Sequence, residues 1–194
     1  PGYSDYLHPY DENHIIGIGK NARGGDENFA WYQGVKVSLF DVSDVENPKE
    51  VANFDIGDRG TDSYALQDHK AFLFDKEKEL LVIPITLAEI QGEKTRDNQY
   101  GEYTFQGAYV YKINLEDGFN LQGRITHYED DEVFKKSGYY FYGNKNVQRS
   151  LYMDDVLYTF SNELIKANDL DDLDEISSVD LPYEESYYRG YEVY

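Results

Sequence analysis

Cysteine is absent from the 194 residues, which removes disulfide frameworks, thiol nucleophiles and thiolate metal sites and leaves the redox compartment open. Basic residues are scarce: 18 Lys and Arg stand against 38 Asp and Glu, a formal charge of −20. A surface this negative repels phosphate backbones and anionic lipid, so neither nucleic acid nor a membrane surface is an expected partner. Long hydrophobic runs are missing too. The longest, Leu80 to Ile85, contains Pro84 and falls far short of the roughly 20 residues a membrane helix needs, so no membrane insertion is expected. Tryptophan and methionine occur once each. The start, Pro1-Gly2-Tyr3, has neither a methionine nor a signal peptide and reads as a cut inside a longer protein.

What remains is apolar enough to fold. A hydrophobic content of 40% with 16% aromatics is too rich for a disordered acidic tail, and the length suits one compact core. The aromatics are 20 Tyr and 10 Phe beside the single Trp, a bias that favours half-buried pleated surfaces. Apolar stretches run four to eight residues, alternate in and out, and stop at Asp, Asn, Gly or Pro, so the elements are short strands.

These strands recur in one order three times. The first unit has strands at Tyr6 to Tyr10, His14 to Gly19, Gly34 to Val42 and Glu50 to Ile56, with turns at Asp11-Glu12-Asn13 and before Pro48. The second has His69 to Phe74, Leu80 to Thr86, Gly107 to Asn114 and Phe119 to His127, the last pair joined through Asp117-Gly118, a strong hairpin signal. The third has Arg149 to Met153, Val156 to Phe160, Leu164 to Asn168 and Glu175 to Leu181, with Asp154-Asp155 turning its first hairpin. Four antiparallel strands repeated along a chain are how the blades of a β-propeller read in sequence. A β-sandwich is the alternative, but it gives no reason for a long loop to recur after the second strand of a unit. The expected fold is therefore all-β, a β-propeller of three four-stranded blades at about 5–56, 68–127 and 149–181, followed by a tail at 183–194.

The phrases Tyr6-Leu7-His8-Pro9-Tyr10-Asp11-Glu12-Asn13-His14-Ile15-Ile16-Gly17-Ile18-Gly19, Leu39-Phe40-Asp41-Val42-Ser43-Asp44-Val45-Glu46-Asn47-Pro48-Lys49, Asp68-His69-Lys70-Ala71-Phe72-Leu73-Phe74 and Gly123-Arg124-Ile125-Thr126-His127 carry a resemblance. From Tyr3 to about Pro182 the chain resembles the C-terminal β-propeller family of archaeal and some bacterial secreted or cell-surface proteins, distantly related to WD40 repeats. The resemblance implies an extracellular or cell-surface location. It supplies no catalytic residue, and the tail lies outside it.

Propellers close with four to eight blades. A three-blade wedge is expected to bare an apolar blade face at each end. Several hundred Å² per face at roughly 25 cal/mol per Å² is on the order of 10 kcal/mol, comparable to the whole stability of a domain. The expectation is that these faces are covered, by blades upstream or by a second copy in a homodimer that completes the ring.

In such blades the loops joining second to third strands and successive blades share one face. The long connections at 20–33, 57–67, 87–106 and 128–148 belong there, and long loops on a rigid scaffold are where binding concentrates. Trp31, Tyr32, Tyr103, Phe105, Tyr139 and Tyr140 with Asp58 and Asp62 are the candidate ligand-binding residues, a mixture suited to stacking on sugars or gripping a cationic peptide. The plain alternative is that these rings pack down their own loops. Among the four histidines, His8 and His14 flank a hairpin with Asp11 and Glu12 and could share a metal. His69 and His127 sit at strand ends, where a structural hydrogen bond is the simpler role. The run Asp169, Asp171, Asp172, Asp174 has the oxygens calcium prefers but lacks the Gly and distant Glu of an EF-hand, so it reads as a solvated turn and no cofactor is expected. Gly17 to Gly25 is glycine-rich without the Gly-Lys-Ser/Thr ending of a phosphate loop, and no Gly-x-Ser-x-Gly elbow occurs. The leading expectation is a non-catalytic binding or scaffolding module for a protein or glycan. A metal- or carboxylate-dependent hydrolase is the rival, and a purely structural part of a surface protein a third reading.

Overall fold

The computed structural model describes residues 1–24, 30–137 and 141–183. They form three four-stranded antiparallel meanders in which each strand pairs only with its chain neighbours. The first sheet comprises β1 (Gly2–Pro9), β2 (His14–Arg23), β3 (Trp31–Asp41) and β4 (Lys49–Ile56). The second comprises β5 (Leu73–Asp75), β6 (Leu80–Glu89), β7 (Glu102–Asn114) and β8 (Gly118–Ile125), and the third β9 (Arg149–Met153), β10 (Val156–Phe160), β11 (Leu164–Asp169) and β12 (Glu175–Asp180). One short helix, α1 (Glu132–Lys135), interrupts the connection from β8 to β9. The expected all-β architecture of three incomplete-propeller blades is what the chain adopts.

The core follows from period-two alternation on strands buried on both sides. Along β6, Leu81, Ile83 and Ile85 pack with Ile16, Ile18, Val35, Val37 and Leu39 of the first sheet. The intervening Leu80 and Val82 join Val110, Ile125, Val147 and Leu157 against the third. The middle sheet thus lies between the other two. A second repeat holds third strands close to fourth strands: Gln33-Gly34 and Gln106-Gly107 open the regular parts of β3 and β7. A Cβ on Gly34 would lie 2.1 Å from the Ile56 carbonyl oxygen, and one on Gly107 2.1 Å from that of Ile125.

Two expectations about the strands need correction. The long connections after second strands are shorter than the sequence suggests, because the hairpins keep pairing: Arg23 pairs with Trp31, and Glu89 with Glu102. Trp31, Tyr32, Tyr103 and Phe105 therefore stand on strands rather than in loops. Conversely, His69 to Phe74 is not one strand. Ser63 and Asp68 each accept a hydrogen bond from the backbone two residues on, and 3₁₀ turns follow at Tyr64–Leu66 and His69–Ala71. The cause lies in β6. Thr86 donates its N–H to Asp62 O on the side of the sheet where β5 pairs, and Pro84, two residues earlier, has no N–H to offer there. The neighbouring chain pairs at Asp62, detours, and resumes pairing at Leu73 opposite Val82. The Pro84 carbonyl is satisfied instead by Ser63 Oγ at 2.6 Å.

The expectation of apolar faces at both ends is also corrected. The outer face of the third sheet is apolar: Leu151, Met153 and Val179 are exposed, and the register puts Tyr158, Phe160 and Ile165 beside them. The outer face of the first sheet is mixed: Leu7, 55% exposed, and Phe40 lie over Gly17, whereas its centre is polar. Glu50 accepts from Lys36 Nζ at 2.6 Å, Ser38 Oγ at 2.9 Å and Asn53 Nδ2 at 2.6 Å, while Asn21 Nδ2 donates to Asp55 at 2.6 Å.

Candidate functional site

Residues from all four long connections meet at one end of the sheets. Lys20 Nζ donates to Thr61 O at 2.6 Å and pairs with Asp62 at 2.9 Å. Arg59 O accepts from Gly101 N at 2.8 Å, which ties the β4–β5 connection to that between β6 and β7. Gln106, fully buried, donates Nε2–H to Val147 O at 2.9 Å and accepts the Val147 N–H at 2.8 Å, so the β8–β9 connection is clamped onto the start of β7.

On this platform the candidate residues separate into different jobs. Trp31 and Tyr100 sandwich the Arg59 guanidinium, whose central carbon lies 4.9 Å from one ring centroid and 4.5 Å from the other. Arg59 also donates to Tyr32 O at 2.9 Å and to Tyr100 Oη at 3.1 Å. Trp31 is thus part of a cation–π contact, whereas Tyr32 lends Arg59 only its carbonyl and sets its ring edge-on to Tyr3 at 5.3 Å. Asp58 holds the loop to β6, its carboxylate accepting the Ile90 N–H at 2.9 Å. Phe105 lies half-buried under Arg124, 4.7 Å from the guanidinium, with Tyr109 edge-on at 5.6 Å, and belongs to the core periphery. Tyr139 and Tyr140 lie outside the described residues.

Asp62 and Tyr103, by contrast, come together in a cleft of about 300 Å³ lined also by Tyr64, Gln67, Phe141, Tyr142 and Asn146. The Asp62 side chain is 53% exposed and Tyr142 is 76% exposed, so acid and ring stand at the open side. The deeper wall is firm. Phe141 packs against Phe134, Tyr128 and Tyr103 with centroids 4.8, 5.7 and 5.8 Å away, and Tyr128 Oη donates to Asn146 Oδ1 at 2.7 Å. Burial raises the Tyr64 phenol above its usual range, opposed by a hydrogen bond with Asn146, and raises Tyr128 as well. Both rings stay neutral at physiological pH. Tyr103 is also a wall of a second cleft, about 650 Å³, bounded by Tyr100, Glu102, Asp131, Phe134 and Lys135.

Tyr64 and Asn146 were not among the candidates. The Tyr64 segment reads as plain loop, although Ser63 and Asp68, each immediately ahead of a turn, are capping signals. Arg59 carries no signal in the sequence, where a single Arg between Asp58 and Gly60 belongs to no motif.

Histidines and acids take separate structural partners. His8 Nδ1 bonds Tyr6 Oη at 2.8 Å and its ring lies 5.1 Å from Phe72 and 5.4 Å from Phe74, whereas His14 Nδ1 meets Asp11 Oδ1 at 2.8 Å. His69 occupies a 3₁₀ turn. His127 is buried between Ser161 Oγ at 3.0 Å and Thr159 Oγ1 at 2.9 Å and joins the second sheet to the third. In the acidic turn, Asp169 accepts the Asp171 N–H at 2.8 Å and Asp172 the Asp174 N–H at 2.9 Å, so these carboxylates cap their own backbone. Among the described residues no three His, Asp or Glu gather closely enough to hold a metal ion.

Comparison with known proteins adds a lineage. The family model of the beta propeller domain matches residues 1–173. An uncharacterized protein of Methanocaldococcus jannaschii is 32% identical over 161 residues, which cover 83% of this chain and 18% of that protein. An uncharacterized protein of Archaeoglobus fulgidus is 25% identical over 181 residues, covering 93% of this chain and 21% of that protein. The chain therefore spans about a fifth of the length of these curated relatives. No solved structure matches it.

Proposed function

The chain belongs to the beta propeller domain family, and from that premise we propose that it is a non-catalytic binding module of an extracellular or cell-surface protein, presenting one loop face to a protein or glycan. The observation that carries this reading is the cleft between Asp62, Tyr64, Tyr103, Phe141 and Tyr142: concave, aromatic, edged by a few polar groups, and built by two connections and the start of β7 on a rigid scaffold. The Phe141 and Tyr103 rings are packed against each other before any ligand arrives, which limits the ordering entropy of binding. The test is a panel of neutral oligosaccharides and synthetic peptides screened by calorimetry. A probe retained by the wild type is expected to bind about tenfold more weakly to Tyr142→Ala, the loss typical of an aromatic contact. Tyr142 is largely exposed, so the variant should keep its circular dichroism and melting temperature. Equal binding by wild type and variant, or a blank panel, would overturn the reading.

We further propose that the apolar outer face of the third sheet is covered, by a second copy in a homodimer or by upstream blades completing the ring. Leu151, at 40% exposure, and Val179, at 60%, lie at opposite sides of that face. In sedimentation experiments the chain is expected to self-associate, and Leu151→Asp with Val179→Asp to return it to a monomer. A stable, well-folded wild-type monomer at tens of micromolar would sink the homodimer.

A further inference from the structure

Tyr103 separates two clefts and belongs to both. The inner one, about 300 Å³, has no basic residue in its lining, and its carboxylate, Asp62, holds Lys20 Nζ on Oδ1 at 2.9 Å from outside the cleft while staying 53% exposed. The outer one, about 650 Å³, is bordered by Glu102 and Asp131, and the one base there, Lys135, is already held by Asp131 at 3.0 Å and Glu132 at 2.9 Å. Rings and carboxylates therefore line both clefts, which share Tyr103. Next to it the chain displays what such walls do to a cation: Arg59 lies between Trp31 and Tyr100, and the two elements flanking that sandwich, Gly60 and Tyr100, are themselves walls of the inner and outer clefts. A compact monosaccharide would occupy one side of the Tyr103 ridge. An extended chain with side chains reaching into successive clefts uses both.

Resting on the binding-module reading above, we propose that the two clefts form one groove for an extended basic peptide segment of a partner protein, with a Lys or Arg side chain entering the inner cleft against its aromatic walls and Asp62. Ring quadrupoles and carboxylates both favour a cation there. The chain's charge of −20 brings such a segment to the surface, and the groove chooses where it stays.

The probe is the peptide acetyl-Gly-Arg-Gly-Lys-Gly-amide, set against a twin with citrulline for Arg and norleucine for Lys and against a neutral glucose hexasaccharide. Each is titrated into the full chain near physiological salt, where long-range attraction is largely screened. The basic peptide is expected to bind at least about tenfold more tightly than its twin. Tyr142→Ala and Asp62→Asn are each expected to weaken it about fivefold or more, and the remote Asp171→Asn with Asp172→Asn to leave it within about twofold. Equal binding of the twin overturns the proposal. So does an equal loss from the remote pair, which would mean bulk charge attraction rather than a groove. Binding of the hexasaccharide alone, lost in Tyr142→Ala, overturns the peptide while leaving a binding module. Failure of both probes and of the wider panel removes both readings.

Discussion

Truncating Ile83 to alanine is expected to lower the free energy of unfolding by about 3 to 4 kcal/mol, read as a fall in the urea midpoint with an unchanged slope. Ile83 is fully buried at the centre of β6, facing Ile16, Ile18, Val37 and Leu39 across the junction of the first two sheets. Isoleucine-to-alanine changes in cores cost about 2 to 5 kcal/mol, and the upper half applies where the surroundings cannot collapse into the void. They cannot do so readily here, because strands of two separate sheets line the site and each is held in register by its own ladder. Against a typical domain stability of about 5 to 15 kcal/mol this is a large fraction. The exposed Val45→Ala is the control, with a change expected within about 0.5 kcal/mol.

Acidification is expected to weaken the fold between pH 6.5 and 4 through His127. Ser161 Oγ also lies 3.2 Å from the Leu164 carbonyl, to which only its O–H can donate, so the ring must donate from Nδ1 to Ser161 and accept at Nε2 from Thr159. Burial, reinforced by Lys166 and Lys145, pushes the imidazole down to about 4 from 6.5. The unfolded chain then binds a proton at a higher pH than the folded one. The stabilisation by neutral His127 is fully present above pH 6.5 and is lost as the pH falls through about 4, a difference of about 3 kcal/mol. His8, lowered by burial, adds in the same direction. Asp11 acts in a different window. Burial opposes its ionisation, but the Asn13 N–H, His14 and Lys76 together hold its carboxyl well below 3.8, so its contribution disappears only in stronger acid. In urea titrations at a series of pH values, His127→Gln should start less stable at pH 7 and show a shallower decline between 6.5 and 4. An unchanged slope would show that His127 does not carry the effect.

The blades were legible because their strands alternate and their turns are chemically marked. Asp154 and Gly118 take positive φ, 52° and 71°, at turns the sequence had already located. What was not legible depends on contacts between blades. Nothing within β6 reveals that Pro84 diverts its neighbour, because the consequence falls well upstream, on residues 64–71. The hairpin extensions at Trp31 and Tyr103 were read as loop because mixed aromatic and polar residues give no alternation, and cross-strand pairing rather than burial holds them. For the candidate site, the long connections to which the acids and rings were assigned do meet at one end of the sheets. Their division into an Arg59 stack, a core margin and a cleft depends on side-chain directions that a list of residue types does not encode. Asp62 and Tyr103 meet because Asp62 bridges to Thr86 while Tyr103 pairs with Ala88 on the other edge of β6.

The sandwiched position of the middle sheet has a kinetic consequence. Either outer sheet can lift away by breaking one junction, but β6 and β7 cannot reach water without breaking both. In a chain of nearest-neighbour units, opening therefore proceeds inward from the ends. The two ends are not equivalent, since the third sheet is held by the smaller apolar cluster, with Leu157 as its one fully buried apolar side chain. The third sheet is the first to detach, and whatever covers its outer face also determines how long the whole wedge stays closed.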